Sequence, residues 1–169
     1  MVEKVQTSPA LKRLGKSVYM ATAVIKSVAW NNLPVSITIT DEKSMVSTIV
    51  SPMYMGCIGN GKYFGGNLSP CPKAVLNDGL FDIFIAKDIK LIEGITTLRP
   101  GMQDGTAAYN LDDGKKGAYL RGFKVVAKPE VDKPVPVEVD GEFAGILPAE
   151  FNTLPLSWKL LIPKMSWIR

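Results

Sequence analysis

The residues able to do chemistry in this chain are defined first by an absence: the sequence contains no histidine. That removes Ser-His-Asp relays, Cys-His pairs and imidazole-bound metals together. Catalysis would have to rest on carboxylates, lysines or hard metal ions. Two places concentrate such groups. One is Val75-Leu76-Asn77-Asp78-Gly79-Leu80, where a tight turn can aim backbone carbonyls and one carboxylate at a common point. Mg²⁺ accepts that all-oxygen arrangement and keeps water in its remaining positions. Asn, Asp and Gly also dominate ordinary turns, which is the commoner meaning of this string. The other place is Asp140-Gly141-Glu142. Asp-Gly is a hairpin signal by itself, and a glutamate acting as general base needs burial or neighbours to raise its pKa from about 4.3.

A glycine-rich stretch leads into the first of these places. Gly59, Gly61, Gly65 and Gly66 precede Pro70, Pro72 and the Asn77-Asp78-Gly79 corner, the composition of a shaped loop held by a scaffold. Its spacing matches neither the dinucleotide fingerprint nor a P-loop. Cys57 and Cys71 form neither a zinc pattern nor a disulfide framework, and read as small buried hydrophobes.

The elements that must position these groups are mostly strands. Val35, Ile37 and Ile39 alternate with polar residues, Asp41 to Ser44 form a turn, and Met45 to Val50 return as a hairpin. Tyr54 to Ile58 is a further apolar run. Leu80 to Ala86 reads as a strand with Phe81, Ile83 and Ile85 on one face and Leu80, Asp82 and Phe84 on the other. Ile89 to Leu98 reads as a short helix, with Asp88 as cap and Pro100-Gly101 as stop. Residues 101–116 read as a polar connection and Tyr119 to Val126 as one strand. Val135, Val137 and Val139 share a face of a proline-marked edge strand, Phe143 to Leu147 return from its turn, and Leu156 to Ile162 alternate once more. Before all of these, residues 9–29 carry apolar positions at spacings of three and four, a helix opened by Ser8-Pro9. Many short strands with few helices predict a β-sandwich.

The bulk numbers set the frame. A chain of 169 residues fits one domain with a real core. With 46% hydrophobic and 21% charged residues it has a globular composition. A net charge of +4 is spread thinly, without a basic tract, so nucleic acid is not an expected partner. The N-terminus lacks a signal-peptide pattern, and the longest apolar stretch is too short to span a bilayer. A cytoplasmic location is expected.

The string GNGKYFGGNLSPCPKAVLNDGLFDIFI resembles a signature of the diacylglycerol kinase-like lipid kinases, which include sphingosine and ceramide kinases. There a G-N-G-x-x-x-G-G-G segment leads to P-x-A-x-x-x-D-G-x-L-D; here the third glycine of the triple is Asn67, and the proline-alanine pair is Pro72 and Ala74. Asp140-Gly141-Glu142, then Pro155, then Trp158 to Pro163 resemble the second signature, and the opening helix resembles the segment joining the family's two domains. The resemblance implies a mainly β chain, a two-layer β-sandwich with an N-terminal interdomain helix (residues 1–30) and one short helix. Residues 31–169 would form the substrate-side domain, of the kind NAD kinases share. The family's N-terminal nucleotide-binding domain carries a G-G-D-G-T motif that these residues lack.

Carried over residue by residue, the resemblance implies a Mg²⁺ on the Asp78 carboxylate and the Val75 and Leu80 carbonyls. It implies Glu142 as acceptor of the lipid hydroxyl's proton. ATP would be bound mainly by the N-terminal domain of the intact kinase, and this chain alone would be inactive. Partners would be a lipid substrate and, at the inner membrane face, a peripheral contact; phosphorylation of a non-lipid hydroxyl is a neighbouring expectation. The competing expectation from another class is a non-catalytic lipid- or membrane-binding module, for which Trp158, Lys159, Trp167 and Arg169 have interfacial character.

Overall fold

A computed structural model describes residues 32–65, 67–111, 114–157 and 159. The helix expected at 9–29, and the alternation from Trp158 onward apart from Lys159, lie outside these residues.

Strand β1 (Leu33–Thr40) buries Val35, Ile37 and Ile39, as its period of two requires. Asp41 turns the chain by accepting the N–H groups of Lys43 at 2.9 Å and Met45 at 2.8 Å on one carboxylate oxygen. The two apolar runs that follow are a single 14-residue strand, β2 (Val46–Gly59). Its first half pairs with β1 and its second half with β3 (Phe81–Lys87), the change of partner falling at a register shift between Met53 and Met55. A bulge bends a strand without ending it, so one strand serves two neighbours.

Tyr119 to Val126 divides instead. β4 (Gly117–Gly122) pairs with β3, β5 (Lys124–Pro129) pairs with β1, and Phe123 is the corner, its N–H donating to the Thr40 carbonyl at 3.0 Å. The sheet order is β4-β3-β2-β1-β5-β8, all antiparallel, with β8 at Ala149–Asn152. Because one residue carries the chain from the β3 side to the β1 side, the sheet curls on itself. It encloses Val35, Ile37, Ile39, Ile83, Ile85 and Val125. The hairpin β6 (Pro136–Val139) and β7 (Glu142–Ile146) forms a separate two-stranded sheet over this core, contributing Val137, with Val135 just before it. Leu156, expected to open a last strand, sits in a turn at φ 57° and is exposed.

The other face of β3 presents Phe84 and Ala86 to a second core, closed by helices and by Cys71 and Ala74. The helix is longer than its pattern predicts. α1 (Leu91–Glu93) starts after Lys90 rather than Asp88 and runs through a π-helical stretch, Gly94–Leu98, into α2 (Arg99–Asp104). The wide turn lets Arg99 N–H reach the Gly94 carbonyl and leaves Pro100 in the first turn of α2, where its missing donor costs little. The stop is Gly105, left-handed at φ 77°. Within the expected polar connection, Ala107–Asn110 forms α3 and buries Ala107 and Ala108. The architecture is mainly β and antiparallel, as the strand pattern predicts.

Candidate functional site

The glycine-rich loop is a small hairpin of its own. Phe64 and Leu68 exchange backbone hydrogen bonds at 2.9 and 3.1 Å, with Gly65 at φ 49° and Asn67 at φ 69°. Asparagine tolerates that left-handed conformation, so Asn67 keeps the backbone shape where the resembled motif has glycine.

From Pro70 the chain packs back onto the sheet. Cys71 is fully buried and the Ala74 N–H closes a turn onto its carbonyl at 3.0 Å. The chain then reaches Asp78, whose Oδ1 accepts the Leu80 N–H at 2.9 Å, an Asx turn that sets the entry to β3. Its Oδ2 is gripped by the Arg121 guanidinium. The Asp78 side chain is 24% exposed. It stands beside a cleft of about 280 Å³ lined by Leu76, Asn77 and Gly79 on one side and Thr153 to Leu156 on the other.

Behind Asp78 lies a buried polar network that pattern reading misses. Asp82, on β3, has no exposed surface, accepts the Tyr119 hydroxyl at 2.6 Å and faces Arg121 Nε at 3.4 Å. Arg121 therefore joins two carboxylates, one fully buried and one partly exposed. Burial first, and then the bond to Asp82, push the Tyr119 phenol well above its ordinary pKa. The Lys73 ammonium stands over the rings of Tyr109 and Tyr119, 4.7 and 4.9 Å from their centroids. One signal of this network is legible in the string: Asp82 interrupts an apolar strand, and a buried carboxylate needs partners. Which partners they are follows only from the register that sets Asp82 opposite Arg121.

A hard cation at the Asp78 turn would need oxygen donors. Each carboxylate oxygen keeps a second lone pair. Among the described residues neither the Val75 nor the Leu80 carbonyl accepts a hydrogen bond, although Leu80 is buried. No group of three or more His, Cys, Asp or Glu side chains is gathered for a metal among the described residues. A cation here would rest on one carboxylate, carbonyls and water, the manner of Mg²⁺, and it would compete with Arg121.

Glu142 opens β7 after the turn at Asp140 and Gly141, whose φ values of 49° and 85° are those of a tight hairpin turn. It is exposed, and among the described residues nothing hydrogen-bonds or pairs with its carboxylate. It borders an open hollow of about 480 Å³ with Val139, Asp140, Phe143 and Ala144. No residue lines both this hollow and the cleft beside Asp78, so the described residues leave Glu142 and Asp78 in separate recesses. No helix among the described residues is long and apolar enough to cross a membrane.

Comparison with known proteins shows the family of the domain. The chain is 32% identical over 120 residues to a protein named diacylglycerol kinase from Mycobacterium tuberculosis, a match covering 69% of this chain and 35% of that one. It is 35% identical over 86 residues to a probable lipid kinase YegS-like protein of Alcanivorax borkumensis, over 50% of this chain and 27% of the relative. The matched part thus spans about a third or less of those relatives. Two crystal structures from Bacillus anthracis share the fold. One superposes with a TM-score of 0.57 at 22% identity, over 81% of this chain and 43% of the other. The second, of a diacylglycerol kinase, gives 0.51 at 19% identity, over 78% and 43%. Residues 2–162 match the model of the YegS C-terminal NAD kinase beta sandwich-like domain. The chain belongs to that family of domains, among relatives named as lipid and diacylglycerol kinases.

Proposed function

We propose that this chain is the substrate-side domain of an ATP-dependent lipid kinase, one that phosphorylates a hydroxyl of diacylglycerol or a related lipid. The observation that carries the reading is the Asp78 turn: its neighbours Asn77 and Gly79 line a cleft, and among the described residues the carbonyls of Val75 and Leu80 accept no hydrogen bond. A Mg²⁺ bound there would neutralise charge near the transferring phosphoryl group. Asp78 holds its geometry through the Leu80 N–H on one oxygen and Arg121 on the other. Glu142 accepts the proton of the lipid hydroxyl. A loose transition state asks little of a base, so an exposed glutamate serves if it positions the nucleophile.

ATP is bound mainly by the N-terminal domain of the intact protein; the Asp78 turn would face the phosphoryl group and Glu142 the lipid hydroxyl, each from its own part of this domain. Residues 1–169 alone would have no kinase activity. Transfer of labelled phosphate from ATP to diacylglycerol in mixed micelles, by the intact protein, tests the reading. Glu142→Gln abolishes transfer while leaving the circular dichroism spectrum and melting temperature unchanged, and Asp78→Ala weakens the Mg²⁺ dependence. Retained turnover removes Glu142 from its role, and an unchanged Mg²⁺ titration removes the cation site. Vesicle binding without any transfer by the intact protein would favour the non-catalytic lipid-binding module. The exposed Met45, Val46 and Val50 on the β1–β2 hairpin are the feature that supports such a contact.

A further inference from the structure

Cys57, on β2, is partly exposed, whereas Cys71, in the turn that leads toward Asp78, is fully buried, and their sulfurs lie 4.0 Å apart. Gly59 makes this approach feasible: a side chain there would bring its Cβ to 3.0 Å from Cys71 Sγ. We propose that Cys57 and Cys71 form a dithiol that hydrogen peroxide converts to an intramolecular disulfide, a modification site on the segment that carries Asp78. This inference does not depend on the kinase reading.

The two thiols have distinct roles. Cys57 is the one with access to solvent, and the Cys71 S–H donated to it stabilises its thiolate and lowers its pKa. Cys71 is held as the thiol by that bond and by burial. Only the thiolate is a competent nucleophile, so Cys57 reacts first. Its sulfur attacks a peroxide oxygen, the O–O bond breaks, hydroxide leaves, and a sulfenic acid forms. Oxidation removes the Cys57 thiolate that held the Cys71 proton, and the hydroxide released in the first step takes that proton as water. The Cys71 thiolate then attacks the Cys57 sulfur: the S–S bond forms, the S–O bond breaks, and the departing hydroxide takes up the proton that Cys57 gave up, as the second water. Two thiols and one peroxide yield one disulfide and two waters, the sulfurs losing the two electrons that the peroxide gains.

The bond has a structural consequence. A disulfide requires about 2.05 Å between sulfurs, so the turn at Cys71 must draw toward β2. Cys71 also loses its one S–H, for which the Asp82 carbonyl, 3.3 Å from the sulfur, is the alternative acceptor to Cys57. Both changes fall on the frame that holds Asp78 and Asp82.

The experiment exposes the folded 169-residue chain to graded hydrogen peroxide, quenches with an alkylating agent under denaturing conditions, and reads intact mass and non-reducing peptide maps. Both thiols are expected to vanish together in monomeric chain, with a Cys57–Cys71 cross-linked peptide that dithiothreitol reverses. Cys71→Ser should leave a sulfenic acid on Cys57 that dimedone traps. In Cys57→Ser, Cys71 should react about tenfold or more slowly than Cys57 does in the parent, as expected of a buried thiol. Over-oxidation of Cys57 with Cys71 still alkylatable, a disulfide between two chains, or two unreacted thiols would each overturn the proposal. The parent chain alone decides among these outcomes, whether or not either serine variant folds.

Discussion

Tyr119 donates a 2.6 Å hydrogen bond to Asp82, whose side chain is fully buried, and Arg121 approaches the same carboxylate at 3.4 Å while gripping Asp78. The two carboxylates are four residues apart, one in the turn before β3 and one inside the strand. A single guanidinium therefore ties the turn before β3 to the core. The Tyr119 hydroxyl also receives the Lys73 N–H at 3.3 Å, so the network fastens the turn before Asp78 as well as the strand after it.

The first prediction concerns stability. Tyr119→Phe removes a hydrogen bond to a buried charged group and should cost about 1.5–3 kcal/mol in urea unfolding. In a double-mutant cycle with Asp82→Asn the two effects should not add, with a coupling of about 1 kcal/mol or more. Additive effects would show that the two side chains stabilise the fold independently.

Alkaline pH should expose the same contact. Folding raises the Tyr119 pKa above its unfolded value of about 10. Below that value the group's contribution is complete. As pH rises past it, the unfolded chain releases a proton that the folded chain retains, so stability falls. The fall should be shallower in Tyr119→Phe. The difference in tyrosinate absorbance between parent and variant should stay near zero around pH 10–11 while the protein is folded.

Arg121 sets a prediction for the proposed cation site. Its positive charge occupies the carboxylate that a divalent ion would use. Arg121→Gln should tighten Mn²⁺ binding, followed by electron paramagnetic resonance, by about tenfold, or about 1.4 kcal/mol. Asp78→Ala should abolish that binding. Weaker binding in Arg121→Gln would mean that Arg121 orients the site rather than competing for it.

Gly122 marks the place where the sheet curls. A Cβ there would collide with the Thr40 carbonyl and the Ile39 side chain. Since the obstruction includes backbone, Gly122→Ala should lower stability by about 1–3 kcal/mol, measured as a drop in melting temperature. Gly141→Ala has open space around it and φ 85°, so it should cost about 1–2 kcal/mol from backbone strain alone.

Much of this protein was legible in its sequence. Strict alternation at Val35, Ile37 and Ile39 identified a half-buried strand because a period of two has one buried face. Asp140-Gly141 announced its hairpin because the turn needs φ > 0 at both positions. The resemblance to lipid kinases rests on short ordered strings that survive in one dimension. Local pattern erred where the decisive contact was distant. Pro100-Gly101 read as a stop because the π-helical turn that absorbs the proline has no signature of its own. Met45 to Val50 and Tyr54 to Ile58 read as two segments because a bulge looks like a break.

Composition and spacing alone thus determined an antiparallel, mainly β chain without histidine chemistry and with two candidate carboxylates. Only the tertiary structure decided what those carboxylates face. Asp78 meets Arg121 because β3–β4 register brings residue 121 beside residue 82, and Cys57 meets Cys71, 14 positions later, because the chain beyond β2 folds back onto it. Such pairings depend on register and on burial of the second core. Those are properties of the packed chain, which no window of neighbouring residues contains.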